Sequence, residues 1–207
     1  MKDRIRAWRY LVSAVAVSTA LSLVCFAQQV AGSQQGGTKP PQAPQQLKDY
    51  PASRMDGLVM EWTRARDYTK EYLDAMPSDG YSFKPTPEIR SFALQMIHLA
   101  EDNYLLVARV MGQTYPYQGK KMEEMADLQN KEAVTKVVLQ SYDAVITALK
   151  ALTEAKLDER IAYAGMNRPR AVVIAAYFEH QTHHRGQATI YLRLKGVTPP
   201  PEKLFTR

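Results

Sequence analysis

Hydrophobic side chains recur every three or four positions in four long stretches that follow residue 48, and this is the period of an amphipathic helix. The first stretch predicts a helix over about residues 53–75, with Ser53 as its N-cap and Pro77 just beyond its end. The residues on its hydrophobic face are Met55, Leu58, Val59, Trp62, Ala65, Tyr68, Tyr72 and Met76. We therefore expect one side of this helix to pack into a core.

The second predicted helix covers about residues 87–111. Thr86, Pro87 and Glu88 are typical of a helix start, because they supply a capping hydroxyl, a preset φ angle and an acidic first turn. Gly112 marks the end of this helix. Its inward positions are Leu94, Ile97, His98, Glu101, Leu105 and Ala108. A long connection over residues 115–129, with one short helical turn near residues 122–128, leads to a third helix over about residues 131–153.

The fourth predicted helix covers about residues 169–195, with Pro169 in its first turn and Gly196 after its end. Its inward positions are Val173, Tyr177, His180, His184, Gln187, Tyr191 and Leu194. Residues 154–168 form a second connection, and the sequence has no strand-like alternation of useful length. Four helices with two long connections predict an all-α, four-helix bundle domain over residues 48–207.

The first 27 residues have the pattern of a secretory signal peptide. Four basic side chains lie within the first ten positions, and an apolar stretch over residues 11–27 ends in Ala27. We expect cleavage after Ala27, with Gly32 as a second site, and hence export to the periplasm or the cell exterior. The alternative is an uncleaved signal anchor, in which case this segment alone would contact the membrane. Residues 28–47 are rich in Gln, Gly and Pro and predict a flexible, disordered tether.

Charge and cysteine content argue against two classes of function. The formal net charge is +6, but four of the 27 basic residues and one of the 21 acidic residues lie in the first nine positions. The rest of the chain is close to neutral and offers no electrostatic case for binding nucleic acid. The single cysteine, Cys25, lies in the predicted signal peptide, so a mature domain would have no disulfide, cysteine nucleophile or thiolate ligand.

The four histidines of the domain suggest a metal site. His180 and His184 are four residues apart, so they lie one turn apart on the same helix face, as in His-x-x-x-His zinc sites. His98 is on the inward face of the second helix, which the fourth helix must pass in a small bundle. Two alternatives remain: these histidines are hydrogen-bonded core residues, or His183 replaces one of the others as a ligand.

Residues 180–187, with the sequence HQTHHRGQ, resemble the H-x-x-x-H-R-G-Q signature of the DinB family, also called DinB/YfiT-like metalloenzymes. Residues 81–98 resemble the entry to the second helix of that family, and the likeness extends over about residues 53–200. The resemblance implies a four-helix bundle, often dimeric, with His98, His180 and His184 as metal ligands. Some relatives are transferases or isomerases that use a cytosolic thiol, whereas this sequence has an export signal.

Three neutral nitrogen ligands would leave the full charge of a divalent ion available for catalysis. Such an ion lowers the pKa of water or of a thiol and polarises carbonyl groups, which favours hydrolysis or nucleophilic transfer on a small molecule. Glu101, three residues after His98, is the predicted catalytic base or proton shuttle. The alternatives are that it is an additional metal ligand or that it accepts a hydrogen bond from a histidine N–H, and Asp102 is a weaker candidate for the same roles. We expect zinc or nickel, although iron, cobalt and copper also accept nitrogen ligands.

Two other residues of the signature have expected positions. Gln187 is on the inward face and is expected to contact substrate or orient a ligand, whereas Arg185 is expected to point outward or into a dimer contact.

Two other functions stay open. The first alternative function is a metal-binding envelope protein without catalysis. The second is a structural or partner-binding bundle with a vestigial site.

Overall fold

The computed structural model describes residues 49–204, so the predicted signal peptide and tether lie outside the described residues. The elements in this range are α1 (Arg54–Ala75), α2 (Phe92–Met111), α3 (Lys131–Ala151), α4 (Glu154–Asp158), β1 (Arg160–Tyr163), β2 (Met166–Pro169) and α5 (Arg170–Leu194). Short 3₁₀ turns occupy Ser78–Gly80, Met122–Glu124 and Ala126–Leu128. The described part of the chain is therefore mostly helical, with a small two-stranded sheet.

The four long helices pack as a bundle in which α1 and α2 each contact both α3 and α5. The space between them is filled by large side chains that are fully buried, including Trp62, Phe92, Tyr142 and Leu149. Burial of this apolar surface is the main stabilising contribution to such a bundle. None of the helices in residues 49–204 combines the length and hydrophobicity that crossing a bilayer requires.

Three of the predicted long helices have boundaries within about two residues of those observed. Ser53 caps α1 as expected, because its side chain accepts a hydrogen bond of 3.2 Å from the backbone N–H of Asp56. Asn130 caps α3 in the same way, accepting from the N–H of Ala133 at 2.9 Å. Helix α5 follows Pro169, and Gly196 beyond its end has a left-handed φ of 73°.

The predicted start of the second helix at Pro87 is wrong, because α2 begins at Phe92. The preceding residues form a turn in which the N–H of Ile89 donates to the carbonyl of Thr86 at 3.2 Å. Ser91 is the N-cap and accepts from the N–H of Leu94 at 3.2 Å. Thr-Pro-Glu suits a turn as well as a helix start, so the local sequence alone did not distinguish the two.

The all-α prediction is corrected by a β-hairpin in the second connection. Strand β1 pairs antiparallel with β2, and Tyr163 lies opposite Met166. Ala164 and Gly165 between them both have positive φ angles, of 50° and 73°, as in a type I′ turn. Each strand has four residues, which is too short for hydrophobic alternation to be recognised. The hairpin places Tyr163 against α5, where its hydroxyl donates to Tyr177 at 2.7 Å.

The start of α2 can be tested by two matched substitutions. Ser91→Ala should lower the free energy of unfolding by about 1 kcal/mol, because an N–H in the first turn loses its acceptor. Thr86→Ala should lower it by less than about 0.5 kcal/mol, because only a turn is affected. Urea denaturation of both variants measures the difference. An equal or larger loss in the free energy of unfolding for Thr86→Ala would instead support a helix that starts at Pro87.

Candidate metal centre

His98 of α2 meets His180 and His184 of α5 at the contact between these two helices. Each histidine offers a ring nitrogen, and these three atoms lie within 4.8 Å of one another. The His184 ring centroid is 4.7 Å from that of His98 and 4.3 Å from that of His180. His184 is buried, whereas the other two are partly exposed. The structure thus brings together the three residues predicted as ligands, in a group that could hold a metal ion.

The inner face of this cluster also includes a carboxylate. Nε2 of His180 lies 2.9 Å from Nε2 of His184 and 2.9 Å from Oδ2 of Asp102. Asp102 is one turn after His98 on α2, so the same helix face presents both side chains. Burial acts to raise the pKa of Asp102, but its hydrogen bond with His180 and the nearby imidazoles outweigh this and lower the pKa. Asp102 is therefore an ionised acceptor at neutral pH.

Glu123 orients His98 from outside the cluster. Its Oε1 lies 2.9 Å from Nδ1 of His98, and its Oε2 accepts a hydrogen bond of 2.9 Å from Nε of Arg90. An imidazole that donates from Nδ1 to a carboxylate keeps the lone pair on Nε2, and this is a common arrangement around metal-binding histidines. No sequence pattern points to Glu123, because it lies 25 residues from His98 in a connection without helical periodicity.

A chain of amide side chains joins His184 to the surface. Nε2 of Gln95 lies 2.6 Å from Nδ1 of His184 and contacts Oε1 of Gln187, whose Nε2 lies 3.0 Å from Nε2 of His183. Rotation of both amides by 180° exchanges every donor and acceptor in this chain. Nδ1 of His184 then donates to Gln95, and its Nε2 keeps a lone pair for a metal. Gln187 thus acts on a predicted ligand through Gln95, while His183 lies at the exposed end of the chain.

The protonation state of His184 suits metal binding. Burial lowers its pKa to about 4, and the neighbouring His180, His98 and His183 contribute in the same direction. The imidazole is therefore neutral at physiological pH, as a ligand must be. Three converging imidazoles beside an ionised carboxylate fit a divalent ion that prefers nitrogen ligands.

Glu101, the predicted catalytic base, has different contacts. Its Oε1 accepts a hydrogen bond of 3.1 Å from the hydroxyl of Tyr115 and lies 3.5 Å from the backbone N–H of Met122. It also belongs to a second group of potential ligands, with His98 and Glu123. These contacts connect Glu101 to the segment after α2, and its catalytic role stays a prediction.

Arg185 does not point outward as expected, because it is 2% exposed. Its guanidinium lies over the ring of Tyr68, 4.8 Å from the centroid, and donates to Oε1 of Gln181 at 2.8 Å. Burial lowers its pKa from the ordinary value. The residue after a predicted ligand is thus part of the interior between α1 and α5.

A cavity of about 190 Å³ adjoins the cluster. The residues that line it are Asp102, Arg109, Tyr163, Ala176, Tyr177 and His180. One wall therefore comes from each of α2, the hairpin and α5. A small molecule in this cavity would contact Asp102 and His180 directly.

The low pKa of His184 predicts a loss of stability in acid for the metal-free protein. Unfolded His184 takes up a proton near pH 6.5, whereas the folded residue resists protonation until about pH 4. Between these values the unfolded state binds more protons than the folded state. The free energy of unfolding therefore decreases as the pH is lowered, by at most about 1.4 kcal/mol per pH unit from this group. Urea unfolding in EDTA at several pH values measures the slope. His184→Gln should remove this contribution, and an unchanged slope would contradict the assignment.

Comparison with known proteins identifies the family. The model of the DinB family matches residues 49–205. Two uncharacterized proteins of Bacillus subtilis (strain 168) are similar: YjoA is 29% identical over 151 residues, which cover 70% of this chain and 92% of YjoA. YrdA is 25% identical over 153 residues, which cover 70% of this chain and 86% of YrdA.

Solved structures show the same fold. A DinB-like protein from Bacillus cereus ATCC 10987 matches with a TM-score of 0.63 and 21% identity, over 72% of this chain and 97% of that protein. The DinB-like YjoA structure from Bacillus subtilis matches with a TM-score of 0.58 and 24% identity, over 70% and 96% of the two chains. With a family match over most of its length and this shared fold, the chain belongs to the DinB family.

Proposed function

We propose that this protein binds one divalent metal ion through His98, His180 and His184 and uses it in hydrolysis or nucleophilic transfer on a small molecule. The observation that carries the proposal is the convergence of three imidazole nitrogens within 4.8 Å. The contacts of Glu123 with His98 and of Gln95 with His184 support it, because they hold both rings by the nitrogen that faces away from the cluster.

Zinc or nickel is the proposed ion, and iron(II), cobalt and copper also suit nitrogen ligands. When bound, such an ion acidifies a water or thiol nucleophile and polarises a carbonyl group. The protein must then supply a proton acceptor, an oriented substrate and a cavity.

We assign the proton acceptor to Asp102 rather than to Glu101. Asp102 lies beside Nε2 of His180, and its lowered pKa keeps the carboxylate ionised, as a proton acceptor must be. Glu101 instead accepts hydrogen bonds from Tyr115 and the backbone of Met122. Its role in this proposal is to hold the segment that also presents Glu123 to His98.

A metal-binding protein without catalysis is the second candidate, and the position of Asp102 favours it as well. A carboxylate beside three imidazoles completes four-coordination, and sites closed by four protein ligands are structural rather than catalytic. The two candidates therefore differ in whether Asp102 is a ligand or a base.

The proposal places this chemistry outside the cytoplasm. It rests on the signal-peptide pattern of residues 1–27 and on the polar tether that follows. The substrate would then be a small molecule of the periplasm or the surroundings, and a thiol confined to the cytosol would not reach the site. A homodimer is proposed from the family resemblance alone.

Elemental analysis of protein purified without an affinity metal tests the site. We expect about one equivalent of a single metal in the wild type and His183→Ala, and almost none in His184→Ala. The adjacent histidine is a matched control because it lies outside the group that could hold an ion. Equal metal content in the two variants, or no metal in the wild type, would contradict the proposal.

Cobalt(II) substitution separates the two roles of Asp102. If it is a base, Asp102→Asn should keep the cobalt absorption spectrum and slow hydrolysis of 4-nitrophenyl acetate about a hundredfold. If it is a ligand, the spectrum changes with the substitution and favours the second candidate. Glu101→Gln is the matched carboxylate control and should have little effect. A larger loss in that control would return the catalytic role to Glu101.

A further inference from the structure

An exposed arginine, Arg109, lines the cavity beside the histidine cluster. Arg109 lies on α2 seven residues after Asp102, which is about 10 Å along the helix. Its exposed guanidinium makes no hydrogen bond or ion pair with any residue in the range 49–204. By contrast, the side chains of Arg54 and Arg66 each contact an aspartate. Arg109 therefore has its donors available to a molecule in the cavity.

A tyrosine pair forms the wall opposite α2. The hydroxyl of Tyr163 donates to that of Tyr177 at 2.7 Å, so Tyr177 retains its own proton for another acceptor. Both rings line the cavity, and Tyr177 is 7% exposed. A guanidinium and a phenolic hydroxyl at one cavity are suited to bind a carboxylate, whose two oxygens accept from both.

The end of the cavity away from Arg109 is lined by Asp102 and His180. The Asp102 carboxylate repels a second anion, whereas His180 belongs to the proposed metal ligands. A molecule with one negative charge is thus oriented with that charge at Arg109 and its neutral end at His180. The volume of about 190 Å³ corresponds to about six water molecules, which suits a small compound.

We propose that this cavity binds small monocarboxylic acids, with the carboxylate at Arg109 and Tyr177 and the neutral reacting end at Asp102 and His180. The reacting end rests on the function proposed above, but the carboxylate subsite does not. Arg109 and Tyr177 act here as specificity-determining residues, since they bind the part of the substrate that does not react.

Binding of hexanoate, hexanamide and adipate to the full chain tests this proposal. Backbone amide NMR shifts of the protein are followed during titration, in EDTA and again after zinc loading. Metal-free wild type should bind hexanoate about tenfold more tightly than hexanamide, because the amide lacks the charge that Arg109 recognises. Adipate should bind the metal-free protein more weakly than hexanoate, because its second carboxylate meets Asp102.

Arg109→Gln should reduce hexanoate affinity about tenfold and leave hexanamide unchanged. Arg193→Gln is the matched control: Arg193 is also exposed, and it lies sixteen residues beyond Tyr177, about 24 Å along α5. This variant should bind hexanoate like the wild type. Arg109→Lys, which keeps the charge but not the paired donors, should be intermediate.

Two results would overturn the carboxylate subsite: equal affinities for hexanoate and hexanamide, or equal losses in Arg109→Gln and Arg193→Gln. If zinc still binds, the metal function stands without the subsite. Conversely, hexanoate discrimination in a protein that binds none of the divalent metals proposed above supports the subsite and overturns the metal function.

Discussion

The packing of α2 against α5 is the contact on which the candidate centre depends. One helix supplies His98 and Asp102 and the other supplies His180 and His184, so neither helix holds enough groups alone. A rotation of either helix by one residue, about 100°, would turn its histidine side chains away from those of the other helix. The bundle core fixes this rotation, because positions such as Leu99 and Ile174 on the same two helices are fully buried. Apolar packing of the two helices therefore determines where the histidine side chains lie.

Polar groups inside the bundle add a second constraint on α5. Gln181 is fully buried and accepts hydrogen bonds from Tyr142 of α3 and from Arg185, whose guanidinium lies over Tyr68 of α1. A buried guanidinium is costly to leave unpaired, and no carboxylate in residues 49–204 forms an ion pair with Arg185. Its hydrogen bonds and the face of Tyr68 offset that cost only in one orientation of α5. The same orientation directs His184 towards Gln95.

The parts of this arrangement that sequence predicts are those that repeat along a helix. Three- and four-residue spacing was enough to identify the long helices and to place His180 and His184 on one face. Contacts between distant segments have no such period, and this is why Glu123 and Gln95 were not recognised as partners of the histidines. The predicted surface position of Arg185 is wrong. A charged side chain is expected at the surface, whereas the partners of this one lie on α1 and on the preceding turn of α5.

The hairpin of β1 and β2 contributes Tyr163 to the cavity but no side chain to the histidine group. Its length and composition can therefore change during evolution while the residues that would hold an ion stay the same. Because the hairpin and the histidine group are separate, one scaffold can bind new small molecules after changes in a short surface segment, without changes in its interior. Divergence among proteins of this fold would then be concentrated in the connection before the last helix.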